Sequence, residues 1–153
     1  MGQVSSTGPD ESQPVRTTVL VLDDEESVRR LVTAILTSAG YDVLPAPDGA
    51  RALDLARSHQ GPIHLLITDV TMPEMDGREA ARAITAVRPQ CRVLFMSGYP
   101  AQAAFPAGDL LPAEGFVQKP FVPRVLVQRV RELLDQEIGD RRTATGREEG
   151  DRR

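Results

Sequence analysis

The sequence predicts an α/β fold built on a parallel sheet of five strands. Short apolar runs alternate along the chain with segments whose apolar residues recur at helical spacing, and this alternation is typical of repeated β–α units. The run at residues 63–67 is almost entirely aliphatic, which indicates a strand covered by helices on both faces, as parallel strands are. Glycine and proline separate the segments, for example at Gly61 and Pro62.

Each element has a local reason in the sequence. Gly40 stops the first helix, and Asp48 and Asp76 cap the next two. Pro45 lacks a backbone N–H, which predicts that the second strand lies at a sheet edge. The five strands are expected at residues 17–22, 41–46, 63–69, 92–96 and 115–118. The regular helices are expected around residues 28–36 and at residues 49–58, 77–87 and 122–138, the last with Pro123 in its first turn.

The segment between the fourth and fifth strands is unusually rich in helix breakers. Pro100, Pro106 and Pro112 interrupt it, together with Gly108. Proline removes a backbone donor and clashes with the preceding turn, so any fourth helix is predicted to be short or irregular.

We expect one folded domain at residues 17–138. Residues 1–16 are rich in Ser, Gly, Pro and Gln, and residues 139–153 contain one alanine as their only aliphatic residue, so both are predicted to be disordered. The chain of 153 residues is 41% hydrophobic, which is enough for a sizeable core.

Charge and cysteine content indicate a cytoplasmic protein. The formal net charge of −4 argues against direct contact with nucleic acid. The single cysteine, Cys91, cannot form an internal disulfide bond, which fits a reducing compartment. There is no apolar signal segment at the N-terminus, and no stretch approaches the roughly 20 apolar residues of a membrane helix, so no membrane contact is expected.

Polar side chains are predicted at the carboxyl ends of four strands. They are Asp23 and Asp24 after the first strand, Asp69 at the end of the third, Ser97 after the fourth and Lys119 after the fifth. The carboxyl ends of parallel strands share one edge of the sheet, where ligands bind in open α/β folds. We therefore expect these residues to line a single shallow cleft.

These residue types predict phosphoryl transfer assisted by Mg²⁺. Three crowded carboxylates repel one another unless a cation lies between them, and oxygen ligands without His or Cys suit Mg²⁺. Asp69 would attack phosphorus, while the metal and Lys119 would neutralise charge on the phosphoryl oxygens. Lys119 is the only lysine among 18 Lys and Arg residues, and an ammonium group is not interchangeable with a guanidinium at a tight site.

Each of these residues alone has an ordinary structural explanation. Acids after a strand cap helices, Asp69 and Ser97 suit turns, a lysine is usually solvated and Phe116 suits a core. The functional interpretation depends on the polar groups following the same end of four different strands.

The chain resembles the receiver domain of two-component response regulators, the CheY-like family, over residues 17–138. The resemblance is carried by VLVLDDE at 19–25, LLITDVTMPEMDG at 65–77, MSGY at 96–99 and GFVQKPF at 115–121. The last two segments are most similar to receivers attached to hybrid histidine kinases. The resemblance implies a flavodoxin-like, doubly wound sheet with strand order 2-1-3-4-5, which agrees with Pro45 at an edge.

The same resemblance implies a set of roles. Asp69 would be the phosphoacceptor, forming 4-aspartylphosphate with a phosphoryl group from a sensor histidine kinase or a histidine phosphotransfer protein. Asp24, Asp69 and the backbone carbonyl of Thr71 would bind Mg²⁺, and Asp23 would contact it through water.

A conformational switch is also implied. Ser97 would move to hydrogen-bond the phosphoryl group, and Phe116 would follow into the vacated space. Lys119 would contact the phosphoryl group, with a cis peptide bond to Pro120. The change would be read on the face of the fourth helix, fifth strand and fifth helix, by a possible downstream protein target.

Two other functions fit the sequence less well. A receiver-shaped module that binds proteins without phosphate would be indicated by a missing acid, Ser97 or Lys119, and all are present. A phosphohydrolase of the haloacid-dehalogenase type needs a second acid two residues after its nucleophile, where this chain has Thr71. We expect no enzymatic turnover beyond self-catalysed phosphorylation and dephosphorylation, and a stand-alone receiver or phosphorelay intermediate.

Overall fold

The structure is a computed structural model that describes residues 16–73, 75–105 and 114–135. Within these residues the strands are β1 (Thr18–Leu22), β2 (Asp42–Ala46), β3 (Leu65–Asp69), β4 (Arg92–Ser97) and β5 (Glu114–Gln118). The helices are α1 (Glu26–Ser38), α2 (Gly49–Ser58), α3 (Gly77–Val87), the single turn α4 (Ala101–Ala104) and α5, which is helical over residues 123–135. In the described part of the chain, none of the helices has the length and apolar character needed to cross a membrane.

The described strands form one parallel sheet in the order β2-β1-β3-β4-β5. This is the predicted order 2-1-3-4-5. Strand β2 pairs with β1 alone, so Pro45 lies in an edge strand, where its missing N–H leaves no gap inside the sheet. Strand β3 lies between β1 and β4, which explains why its sequence is apolar on both faces.

Two apolar cores cover the two faces of the sheet. In β1, Leu20 and Leu22 face the core beneath α2 and α3, whereas Val19 and Val21 face the core beneath α1 and α5. All four are completely buried, as alternate residues of a central strand must be when helices cover both faces.

Local signals placed the helix ends correctly. The Asp48 carboxylate accepts a hydrogen bond from the Arg51 N–H at 2.8 Å, and Asp76 accepts one from the Arg78 N–H at 2.7 Å. Gly40 follows α1 with φ of +100°, a left-handed conformation that other residues rarely adopt. These contacts confirm the predicted caps and the predicted stop.

The differences from prediction lie at element ends. Ile63 is buried but precedes β3, because an apolar pattern reports burial and not membership of a hydrogen-bonded ladder. The fourth helix is one turn, as the prolines predicted. Residues 1–15, 106–113 and 136–153 lie outside the described part, so disorder at the two ends stays a prediction. Arg16 is described, and its guanidinium pairs with Asp42 at 2.8 Å.

Candidate functional site

Three carboxylates meet at the carboxyl edge of the sheet. Asp23 and Asp24 follow β1, Asp69 ends the adjacent β3, and each offers an oxygen within 4.8 Å of the others. Parallel pairing of β1 with β3 brings them together, because the two strands end side by side. The cluster that the sequence predicted is therefore present.

Asp23 is the buried and fully partnered member of the cluster. Its side chain is 0% exposed, its Oδ1 accepts the Glu25 N–H at 2.9 Å, and its Oδ2 lies 3.4 Å from Lys119 Nζ. Its backbone is held as well, since its N–H donates to the Ala46 carbonyl. Burial raises the pKa of the Asp23 carboxyl, and the nearby Asp69 adds to this, while the Glu25 N–H and the Lys119 charge oppose it in part.

Lys119 reaches the cluster from the end of β5. Its Nζ donates to Asp69 Oδ2 at 3.0 Å and its backbone N–H donates to the Ser97 carbonyl at 2.7 Å, and the peptide bond to Pro120 is cis as expected. Burial by itself lowers the pKa of this ammonium. The hydrogen bond to Asp69 and the charges of Asp23 and Asp69 outweigh burial and raise the pKa, so Lys119 is a cation at neutral pH.

Asp24 and Asp69 remain open to solvent on the outer side of the cluster. Asp24 is exposed, and the Asp69 side chain keeps 13% of its surface accessible. Asp69 Oδ1 accepts a 3.3 Å hydrogen bond from the N–H of Thr71, which is itself exposed. Both carboxylates are therefore accessible to a small ligand.

The charge and donor types of the cluster fit a divalent cation. Three carboxylates and one ammonium carry a net charge of −2, which Mg²⁺ would neutralise. All side-chain ligands are oxygens, the donor that Mg²⁺ prefers. Asp24 and Asp69 are the members of the cluster with accessible carboxylates that could hold the ion, whereas the Asp23 side chain is 0% exposed.

Ser97 ends β4 beside the strand of Asp69, and Phe116 lies on the neighbouring β5, three residues before Lys119. Ser97 is buried, and its Oγ accepts a hydrogen bond from the Tyr99 N–H at 3.0 Å. Phe116 pairs in register with Phe95 and is only half-buried. Its ring meets the edge of the Phe105 ring at a centroid distance of 6.1 Å, within the range of favourable aromatic pairs.

Sequence reasoning missed the neighbours that hold the site in shape. Arg29 donates from Nη1 to the Asp23 carbonyl at 2.8 Å. Phe105 packs between Phe116 and Phe95 and lies 5.6 Å beneath the guanidinium of Arg78. No pattern in the sequence links these residues, because their contacts form only when the helices and loops pack against the sheet.

Comparison with known proteins identifies the family. The family model for the response regulator receiver domain matches residues 19–131. The chain is 36% identical over 116 residues to the response regulator receiver protein CpdR of Brucella abortus, which covers 76% of this chain and 95% of CpdR. It is 37% identical over 123 residues to the sensor kinase CckA of the same organism, covering 78% of this chain but 13% of CckA.

Solved structures agree with this result. The receiver domain from the hybrid histidine kinase CckA aligns with a TM-score of 0.64 at 33% identity, covering 76% of this chain and 98% of that one. The chemotaxis protein CheY4 of Vibrio cholerae aligns with a TM-score of 0.70 at 30% identity, covering 78% and 99%. The chain belongs to the response regulator receiver family, whose members are signalling domains of two-component systems. Members interact with histidine kinases or phosphotransfer proteins and bind Mg²⁺ in an acidic pocket, the kind of pocket formed here by the three aspartates.

Proposed function

We propose that this receiver accepts a phosphoryl group on Asp69 from the phosphohistidine of a sensor histidine kinase or a histidine phosphotransfer protein. The observation that carries the proposal is the position of Asp69, whose partly open carboxylate lies 3.0 Å from Lys119 Nζ inside a cluster of three acids. No other carboxylate in the described residues combines an open face, an ammonium partner and two neighbouring acids.

The chemical step follows from the charges. An oxygen of Asp69 attacks phosphorus, the P–N bond to the donor histidine breaks, and the imidazole nitrogen keeps the electron pair and takes up a proton. The product is an acyl phosphate, 4-aspartylphosphate. Lys119 stabilises negative charge on the phosphoryl oxygens, because its ammonium lies between Asp69 and Asp23 and is held by both.

The metal part of the proposal assigns each ligand. Asp24, Asp69 and the Thr71 backbone carbonyl would hold Mg²⁺ directly, and Asp23 would contact it through water. The ion supplies charge neutralisation at the phosphoryl oxygens when it is bound. The complete burial of the Asp23 side chain, which is 0% exposed, supports an indirect role for this residue.

The switch in the proposal involves Ser97 and Phe116. The Ser97 hydroxyl, whose Oγ accepts a hydrogen bond from the Tyr99 N–H, donates its O–H to a phosphoryl oxygen, and the Phe116 ring moves inward. The half-buried state of Phe116 and its edge contact with Phe105 support this movement, since the ring is not locked in the core. A downstream protein would read the new surface beside β5, and a cytoplasmic location remains part of the proposal.

Intact-mass spectrometry tests the function directly. The protein is incubated with acetyl phosphate, or with a phosphorylated histidine phosphotransfer protein, in Mg²⁺ and in EDTA. We expect one phosphoryl group, dependent on Mg²⁺ and labile to hydroxylamine as an acyl phosphate is. Asp69→Asn removes the acceptor, and Asp48→Asn is the matched control because Asp48 caps α2 outside the cluster. Absence of phosphate on the wild-type protein contradicts the function, and phosphate on Asp69→Asn contradicts the site.

A further inference from the structure

We infer that Arg29 is a positioning residue of the metal site, which orients Asp24 through the peptide group that joins it to Asp23. The inference rests on the proposed function, because it concerns the Mg²⁺ site of that function. It assigns a role to a side chain that lies on α1 and has no contact of its own with the phosphoacceptor.

The geometry singles Arg29 out from its neighbour. Arg29 lies in the first turn of α1, is half-buried, and donates from Nη1 to the Asp23 carbonyl oxygen at 2.8 Å. Arg30 is next in sequence but its side chain is 78% exposed, and its guanidinium pairs with Glu26 at 2.9 Å on the outer face of the helix. The two arginines carry the same charge, but of the two it is Arg29 that is hydrogen-bonded to the loop containing Asp23 and Asp24.

The Asp23 carbonyl belongs to the same rigid peptide group as the Asp24 N–H. Fixing that carbonyl fixes the plane of the group and the position of the Asp24 Cα, so the Asp24 carboxylate can move only by rotation about the N–Cα bond and the side-chain bonds of Asp24. The Asp24 carboxylate itself is exposed, and in the described residues it has no hydrogen bond to hold it. Arg29 is thus the side chain that restricts the one metal ligand lacking a direct partner.

The remaining bonds of the loop do not replace Arg29. The Glu25 N–H and Lys119 hold the Asp23 carboxylate, and the Ala46 carbonyl holds the Asp23 N–H. The bond from the Glu25 N–H to the Asp23 carboxylate spans the Asp23–Asp24 peptide group without contacting its carbonyl, and the other two contacts lie before that group. Only the Arg29 guanidinium, among the described side chains, donates to the carbonyl of that group.

Two possible roles of Arg29, a purely electrostatic one and a positioning one, predict opposite changes in Mg²⁺ affinity when it is replaced. Removing a cation beside three carboxylates strengthens binding of Mg²⁺ if the arginine acts only through its charge. Removing a group that orients a ligand weakens binding, as loss of outer hydrogen-bond partners does in other metal sites. The direction of the change in Mg²⁺ affinity therefore separates the two roles.

The experiment is an NMR titration with MgCl₂ alone, following backbone amides of residues 23–25, on the full chain. We expect Arg29→Gln to weaken Mg²⁺ binding roughly tenfold. Arg30→Gln removes the same charge from the next residue and is expected to stay within about twofold of wild type, since an exposed charge is well screened. Arg29→Lys keeps the charge with a single donor group and should lie between wild type and Arg29→Gln. Melting temperatures measured without Mg²⁺ test whether each variant is folded. If Arg29→Gln does not fold, Arg29→Lys is compared with wild type instead.

The outcomes separate this inference from the proposed function. Wild-type binding that is lost in Asp24→Asn and weakened in Arg29→Gln supports both. Wild-type binding lost in Asp24→Asn but unchanged or tighter in the Arg29 variants overturns the inference and leaves the function intact. Absence of Mg²⁺ binding to the wild-type protein overturns the metal site and the inference together.

Discussion

The backbone at residue 77 lies so close to Asp69 that no side chain fits there. A Cβ on Gly77 would overlap the carbonyl oxygen of Asp69, and the Gly77 N–H donates to the Val70 carbonyl at 2.7 Å. The turn after β3 thus closes tightly against the strand that carries the phosphoacceptor, and the first residue of α3 packs on its backbone.

We predict that Gly77→Ala destabilises the protein and slows phosphorylation of Asp69. The overlap is with backbone, which has to shift, at a cost of about 1–3 kcal/mol in the free energy of unfolding. Gly98→Ala is the matched control, since a Cβ on Gly98 meets no atom within 4 Å. Urea unfolding and the rate of phosphorylation by acetyl phosphate measure the two effects. Equal behaviour of the two variants would show that the loop yields without moving Asp69.

Mg²⁺ should raise the melting temperature of the wild-type protein. The cluster carries a net charge of −2 without metal, so a ligand that binds only the folded chain stabilises it, by about 2.7 kcal/mol at 100 times its Kd. Differential scanning fluorimetry in MgCl₂ measures the shift. Asp24→Asn removes an exposed ligand and should abolish it, and a shift that persists in this variant would place the ion elsewhere.

Without metal, Asp69→Asn should raise the melting temperature. The pKa of Asp23 lies above its ordinary value, so the folded chain binds this proton more tightly than the unfolded chain, and ionisation of Asp23 lowers stability as pH rises through that pKa. Removing the Asp69 charge relieves part of this penalty at neutral pH, while asparagine keeps an oxygen for the Thr71 N–H. Asp48→Asn keeps a good helix cap and should leave the melting temperature unchanged. A marked fall for Asp69→Asn would assign Asp69 a structural role.

Phe116→Leu should leave phosphorylation of Asp69 intact but block the conformational change that follows it. The leucine side chain lacks the ring edge that meets Phe105, so phosphate on Asp69 should no longer shift the amide resonance of Phe105. The rate of phosphorylation should stay near wild type, because Phe116 has no hydrogen bond to the acidic cluster. Phe121→Leu, a change of the same size in the opposite core, is expected to keep the Phe105 response. Loss of that response in both variants would argue against a specific route through Phe116.

Arg88→Ala should destabilise the fold without affecting Asp69. The guanidinium donates to three carbonyls, those of Ala56 at 2.8 Å, His59 at 2.6 Å and Gly61 at 2.7 Å, and so closes the end of α2 onto α3. Loss of these charged hydrogen bonds should cost about 2 kcal/mol or more in chemical unfolding. Arg57→Ala, at an exposed position in the last turn of α2, is the control. Slower phosphorylation of folded Arg88→Ala would mean that this end of the sheet communicates with the site.

The sequence by itself determined the elements and most of the site. Helices and strands were predicted from the spacing of apolar residues, and helix ends from the caps at Asp48 and Asp76 and the stop at Gly40. All of these signals depend on residues only a few positions apart, so they can be identified in the sequence. The site residues were also accessible, because in a parallel sheet any polar residue that ends a strand comes to the same edge. The chain's only lysine was found next to Asp69 for that reason.

Only the tertiary structure decided which groups hold that site in place. The contacts of Arg29 with the Asp23 carbonyl, of Gly77 with the Asp69 backbone and of Phe105 with two other rings form only when a helix or a loop packs against the sheet. Most of these contacts are made to a backbone atom or to a ring elsewhere in the fold. Every residue has a backbone carbonyl, so no sequence pattern shows which carbonyl a side chain will contact. The position of Asp69 at the end of a buried strand was predicted from the sequence, whereas its distances to the groups around it are determined by packing.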